Sequence, residues 1–251
     1  MVEPANLTPT EWSKVLDTSA DVCKVAERLK RGNYFSWNKV LQQCTDDSLK
    51  TLDLGSGRGE NSAMLALRGK QTTLFDWSAD NINFSKKLYQ ALGKEARYVQ
   101  GDVTKPLPFA DAEFDVVFSC GVFEYFTNEQ IASILKETFR VARKRVIILV
   151  PNAYSFFYRL GMWYMQITKK WQWGGERVFT SLAPQFRAAG FDNVKEFTVA
   201  AKHSLTFLTM PGGRTLQKII EKIFNLTDHP KPSVGRQGYL LISVGEKRDK
   251  Q

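Results

Sequence analysis

Thr51-Leu52-Asp53-Leu54-Gly55-Ser56-Gly57-Arg58-Gly59-Glu60 decides the fold. An apolar strand, Lys50 to Leu54, runs into glycines at 55, 57 and 59, and helix-compatible residues follow from Glu60. Glycines at this junction let the backbone turn sharply and approach a ligand with no β-carbon in the way. The spacing is GxGxG, not GxGxxG, and Asp53 stands at the strand end before it.

A carboxylate in that place repels a dinucleotide pyrophosphate but accepts a ligand bearing an ammonium and a sulfonium. Working outward, further strands are expected at Thr72–Asp76, Ala96–Val99, Phe114–Ser119 and Arg145–Val150, with amphipathic helices between them. Ser78 and Thr127 are the expected N-caps, the latter paired with Gln130 in a capping box. This βαβα alternation predicts an α/β, doubly wound, mostly parallel sheet covered on both faces. A helix near Ser181–Ala189 and strands at Val194–Val199 and Tyr239–Val244 complete the pattern. Asp76 ends the second strand, placed to accept from both hydroxyls of a ribose. Trp77 can then lie against a base, and Asp102, in Gly101-Asp102-Val103, can accept an amino group.

Taken in order, Asp53 to Gly59, Phe75-Asp76, Gly101-Asp102, Phe114-Asp115-Val116-Val117, Gly121 to Phe126 and Ala189-Gly190-Phe191 resemble the class I S-adenosylmethionine-dependent methyltransferases. The nearest branch is that of quinone biosynthesis and other small-molecule enzymes. The resemblance covers about Thr51 to Val199. It implies a Rossmann-like, seven-stranded sheet with an antiparallel last strand. It also implies S-adenosylmethionine as cofactor, S-adenosylhomocysteine as product, and no metal. Asp53, Gly55, Ser56, Gly57, Arg58, Gly59, Asp76, Trp77, Gly101, Asp102, Val103 and Cys120 are the implied cofactor-binding positions. Two departures stand out. Tyr125 occupies a position often held by histidine, and Arg143-Lys144-Arg145 replaces a glycine pair, which predicts a shortened turn before the fifth strand.

Glu124, Tyr125 and His203 are the candidate bases. Cys120, beside the expected methyl donor, invites comparison with nucleophilic cysteines, but its Ser119 and Gly121 neighbours favour a small buried hydrophobe. Two insertions, 152–180 and 200–237, leave the carboxyl edge of the sheet, where open α/β folds bind ligands. The first carries Tyr154, Tyr158, Trp163, Trp171 and Trp173 among bases and predicts a lid over an apolar acceptor, ahead of a satellite core or an interfacial membrane segment. Leu216–Phe224 reads as an amphipathic helix able to complete that cover.

Before the domain at 47–251, residues 1–46 read as a helical cap. Thr8-Pro9-Thr10-Glu11 has the form of a capping box, and further helices are expected at Ala20–Lys30 and Trp37–Gln43. The chain has 251 residues, 43% of them hydrophobic, which suffices for a large core. Three scattered cysteines and two histidines argue against a disulfide scaffold or a zinc site. The opening Met1 to Asn6 lacks signal-peptide features, so a soluble cytoplasmic protein is expected. Net charge is +9, with bases at Lys24–Arg31, Arg140–Arg145, Lys169-Lys170 and Lys247-Arg248. They lie apart from the acidic constellation. The expected activity is methyl transfer to an oxygen, less so nitrogen or carbon, of a small or lipid-linked acceptor. Peripheral membrane contact is a further expectation, and RNA methylation or a non-catalytic cofactor-binding regulator are the alternatives. The absence of an Asn/Asp-Pro-Pro-Tyr/Phe element argues against adenine amino methylation.

Overall fold

The computed structural model describes residues 8–224, 226, 233 and 236–247. Met1 to Asn6, Arg248 and parts of the second insertion lie outside them. Seven strands form one sheet: β1 (Lys50–Leu54), β2 (Gln71–Asp76), β3 (Arg97–Gln100), β4 (Phe114–Cys120), β5 (Ala142–Pro151), β6 (Asn193–Val199) and β7 (Leu240–Glu246). Their order is β3-β2-β1-β4-β5-β7-β6, with β7 antiparallel to both of its neighbours and the remaining pairings parallel. The strand order reverses between the parallel β1 and β4, which opens a crevice at the carboxyl ends of the strands, where such folds bind ligands.

Burial on both faces explains the nearly continuous apolar strands. In β4, Val117 packs into one cluster with Ile131, Ile134 and Leu135 of α6 (Asn128–Val141). Its neighbours Val116 and Phe118 pack into the opposite cluster with Met64 and Leu65 of α4 (Glu60–Leu67). The side-chain period of two along a strand assigns these neighbours to opposite layers.

Three helices precede β1: α1 (Pro9–Val15), α2 (Val22–Lys30) and α3 (Ser36–Cys44). In α1 the Thr8 hydroxyl and the Glu11 carboxylate exchange bonds with each other's backbone, and Pro9 sits where no amide partner is needed. Asp21 caps α2, accepting from the Cys23 and Lys24 amides, so that helix begins two residues later than its apolar pattern suggests. Ser78 caps α5 (Ala79–Leu92), and Thr127 with Gln130 closes the expected box on α6.

The turn before β5 is shortened as expected, to nothing: α6 ends at Val141 and β5 begins at Ala142. Arg143, Lys144 and Arg145 lie at the start of β5, whose Ala142 pairs with Phe114 across a register shift. Acidic and carbonyl partners hold the charges there: Arg143 pairs with Asp115, and Lys144 donates to the Asp47 carbonyl at 2.6 Å. Arg145 reaches the Cys44 carbonyl at 3.0 Å and the Asp47 carboxylate at 2.7 Å.

Both insertions do leave the carboxyl edge. The first contains α7 (Phe156–Ile167) and returns at an Asn152–Phe179 bridge; α8 (Ala183–Ala188) follows it. The second contains α9 (Ala201–Ser204) and α10 (Gly213–Ile223). Leu205, Leu208 and Ile220 form a small satellite core against Phe157 and Leu160. Ile220 is the buried apolar residue of α10, whereas Leu216, Ile219, Ile223 and Phe224 are exposed. The amphipathic helix is therefore present, but none of its residues lines the cavity at the carboxyl edge. Among the described residues no helix is long and apolar enough to cross a membrane.

Candidate active site

A cavity of about 1180 Å³ lies at the carboxyl edge of β1, β2 and β4. Its first half is the glycine turn and the strand ends. Gly55, Ser56, Gly57 and Arg58 line it, joined by Asp76, Trp77, Asp102, Val103 and Cys120. All three turn glycines have positive φ. A β-carbon on Gly55 would lie 2.5 Å from Val122, and one on Gly59 would lie 2.6 Å from both Leu74 and Ser85. Gly59 thus stands behind the turn and lets α4 pack closely. Gly101 does the same against the Phe75 ring, at 2.5 Å, so its need for glycine is internal.

Asp76 organises the turn. One carboxylate oxygen accepts from the Gly57 amide at 2.7 Å, the other from the Ser78 amide at 2.9 Å and from the Asn81 side chain at 3.2 Å. Burial raises its carboxyl above the usual range despite these bonds. Trp77 is 39% exposed and lies along the cavity, and Ser56 Oγ is buried without a hydrogen-bond partner among the described residues. Asp102 lines the cavity while its Oδ1 holds a local turn through the Thr104 amide and hydroxyl, both at 2.8 Å. Arg58 is engaged by the Asp17 carbonyl and by Glu60, so it is not held in reserve for a ligand carboxylate.

Asp53 is placed differently from expectation. It is buried beneath the turn, accepts from Ser62 Oγ at 2.9 Å, and is not among the lining residues. Burial, with a smaller push from Asp76, raises its carboxyl to about 7. It is therefore a group that shapes the turn from below.

The second half combines the cap with the insertions. Glu124 and Tyr125 lie on a single 3-10 turn after β4, and Trp12 of α1 meets the Tyr125 ring edge-on at 4.7 Å. Phe35, Trp37, Trp173, Glu176 and Tyr239 complete this wall. Trp171 Nε1 donates to the Gly174 carbonyl at 3.0 Å, and the Arg177 amide donates to the Glu124 carbonyl at 3.2 Å. These bonds bring Glu176 beside Glu124. The Tyr158 hydroxyl donates to Glu176. Burial raises Glu176 to about 7, and burial together with Glu176 raises Glu124 well above the carboxylate range. The same burial and the same two carboxyls push Tyr125, Tyr158 and Tyr239 upward, so these phenols stay protonated. Burial, Glu124 and Asp53 also push up the Cys120 thiol, which argues against a thiolate nucleophile.

Of the expected lid residues, Trp173 alone lines the cavity. Tyr158 is buried behind it and packs on Tyr239 and Phe207, while Trp171 tilts against Tyr158 and Phe207. Tyr154 and Trp163 face outward, the latter 56% exposed. His203 sits behind the wall, its ring 4.8 Å from Trp37 and 5.1 Å from Tyr239. Packing one layer away from the cavity, it is not placed to touch a reacting atom. Sequence reading missed Trp12, Phe35, Trp37, Tyr239 and Glu176. Only Glu176 carried a local hint, following the Gly174-Gly175 pair in an insertion otherwise poor in acids.

Residues 52–150 match the methyltransferase domain family. An uncharacterized methyltransferase of Bacillus subtilis (strain 168), YbaJ, is 26% identical over 148 residues, which is 57% of this chain and 55% of that protein. The chain spans about half the length of the curated relatives it matches. A SAM-dependent methyltransferase from Archaeoglobus fulgidus is similar in structure, with TM-score 0.57 and 18% identity, over 92% of this chain and 96% of that one. Magnesium protoporphyrin IX methyltransferase from Synechocystis PCC 6803, solved with bound S-adenosylhomocysteine, gives TM-score 0.57 at 13% identity over 95% and 94%. Residues 52–150 therefore form a methyltransferase domain, set in a Rossmann-like fold shared with these solved methyltransferases. The quinone-biosynthesis branch remains a sequence expectation.

Proposed function

We propose that the chain transfers a methyl group directly from S-adenosylmethionine to a heteroatom of a small acceptor seated against the aromatic wall. The observation that carries this reading is the continuity of one cavity from the glycine turn to the Glu124–Glu176 pair. The residues of the first half fit the cofactor: Ser56 Oγ is an unpartnered polar group, the Asp76 carboxylate suits ribose hydroxyls, and Trp77 offers a ring face for adenine. When bound, the cofactor supplies an electrophilic methyl on a sulfonium.

The chain's own part is to align the acceptor with that methyl and exclude water. Such alignment is worth roughly 7 to 11 kcal/mol at best. Sequence reading favours oxygen as the nucleophile. A polyanionic RNA acceptor fits poorly with a cavity edged by Asp17, Glu60, Glu124 and Glu176. Calorimetry with S-adenosylmethionine tests the first step, with micromolar-range binding expected for the natural chain and at least tenfold weaker binding for Asp76→Ala. Undiminished binding by that variant, or none by the natural chain, would remove the cofactor assignment. Mass spectrometry of cell extract given methyl-labelled cofactor then identifies the acceptor.

A further inference from the structure

We infer that the acceptor is a protonated amine on an aromatic or apolar body, bound by the Glu124–Glu176 pair and giving its proton to that pair before nitrogen attacks the methyl group. This rests on the methyl-transfer reading and narrows it from any heteroatom to an ammonium nitrogen.

The two carboxyls are not equally satisfied. Glu176 accepts from the Tyr158 hydroxyl. Glu124 is 3% exposed and lines the cavity, yet its Oε2 has no hydrogen-bond partner among the described residues. A carboxyl on the cavity wall with one buried oxygen lacking a donor is a place made for one. Charge points the same way. The lining residues include six carboxyls, Asp17, Glu60, Asp76, Asp102, Glu124 and Glu176, and one arginine, Arg58, which Glu60 and the Asp17 carbonyl already hold. The other groups facing the pair are Tyr125, Tyr158, Tyr239 and Cys120, all kept neutral by burial. Arg177 is next in sequence to Glu176, but its guanidinium donates to the Phe126 carbonyl and to Asn128.

Two buried carboxyls cannot both ionise without a nearby cation. An ammonium supplies one, and the rings of Trp12, Trp37, Tyr125, Trp173 and Tyr239 suit both a cation and its apolar body. An anionic acceptor would be repelled. An alkylammonium is also far more acidic than an alcohol, so a carboxylate can take its proton without the climb that forming an alkoxide requires.

The step balances without a further reagent. One proton passes from the R–NH3+ group to a carboxylate of the pair. The freed nitrogen lone pair forms the N–C bond as the S–C bond breaks, its electrons staying on sulfur. Products are the methylated ammonium, a neutral thioether and a protonated carboxyl.

The test loads the full chain with S-adenosylhomocysteine and titrates benzylamine, 2-phenylethylamine, tryptamine and hexylamine beside their alcohol isosteres and indole-3-acetate. Calorimetry is run at pH 7.5 in two buffers of different ionisation enthalpy. At least one amine should bind tenfold or more tightly than its alcohol, with proton release to the buffer, and the carboxylate should not bind. Glu124→Gln and Glu176→Gln should each abolish that preference and change the proton count, while S-adenosylmethionine affinity stays within twofold. Binding of alcohols as tight as amines, absence of binding by every amine, or an amine preference surviving both variants would overturn the inference. Failure of the natural chain to bind S-adenosylmethionine would instead overturn the methyltransferase reading beneath it.

Discussion

Replacing Asp53 by Asn isolates the cost of a buried acid beneath the glycine turn. Asn is nearly isosteric and its carbonyl can still accept from Ser62 Oγ, which donates to Asp53 at 2.9 Å. Folding raises the Asp53 carboxyl to about 7, from an unfolded value near ~3.9. Between those values the folded chain binds more protons than the unfolded one, so this group lowers stability progressively as pH rises through that window. At pH 5 the penalty is partial, and by pH 8 it is complete. The difference between the two pH values is about 2 to 3 kcal/mol, which Asp53→Asn should abolish. Glu124 and Glu176 also titrate upward but are present in both chains, so they largely cancel in the comparison. Urea unfolding of both chains at pH 5, 6.5 and 8 measures this. The variant should gain on the natural chain by that margin as pH rises, and at constant two-state slope the gap appears in the midpoint. Parallel pH profiles would refute the assignment of a neutral, buried carboxyl at this position.

Two further outcomes follow from the geometry. Gly59→Ala places a β-carbon 2.6 Å from Leu74 and Ser85 at φ +73°, and strain with overpacking should cost about 2 to 5 kcal/mol. A melting temperature within 1 to 2 °C of the natural chain would contradict that close approach. Trp77→Ala removes the ring along the cofactor half of the cavity and should weaken S-adenosylmethionine by roughly 5- to 30-fold, about 1 to 2 kcal/mol. In calorimetry Trp77→Phe should stay within threefold, and an unchanged affinity for the alanine variant would show that adenine lies elsewhere.

The central strands are legible because they are apolar runs bounded by glycines or charges, and β1 spans Lys50–Leu54 as the sequence predicts. β5 was read as starting at Arg145, because Arg143 and Lys144 look like a turn until Asp47 and Asp115, far away in sequence, neutralise them. The glycine turn and Asp76 were legible because they are local. The acceptor wall is not, since Trp12, the Phe35–Trp37 pair, Glu176 and Tyr239 come from four separated segments and meet only after the sheet forms. The lid expectation shows the same limit: composition shows that an insertion is aromatic, but not which rings turn inward. Trp173 does, while Trp163 faces solvent.

Helix α1 touches both halves of the cavity at once. Its Ser13 hydroxyl bonds that of Ser78 at 2.8 Å, Leu16 just beyond it lies against Gly57, and Trp12 rests on Tyr125. Displacing this one helix therefore unfastens the cofactor side and the acceptor side together. Both halves of the cavity thus owe part of their wall to the same short helix.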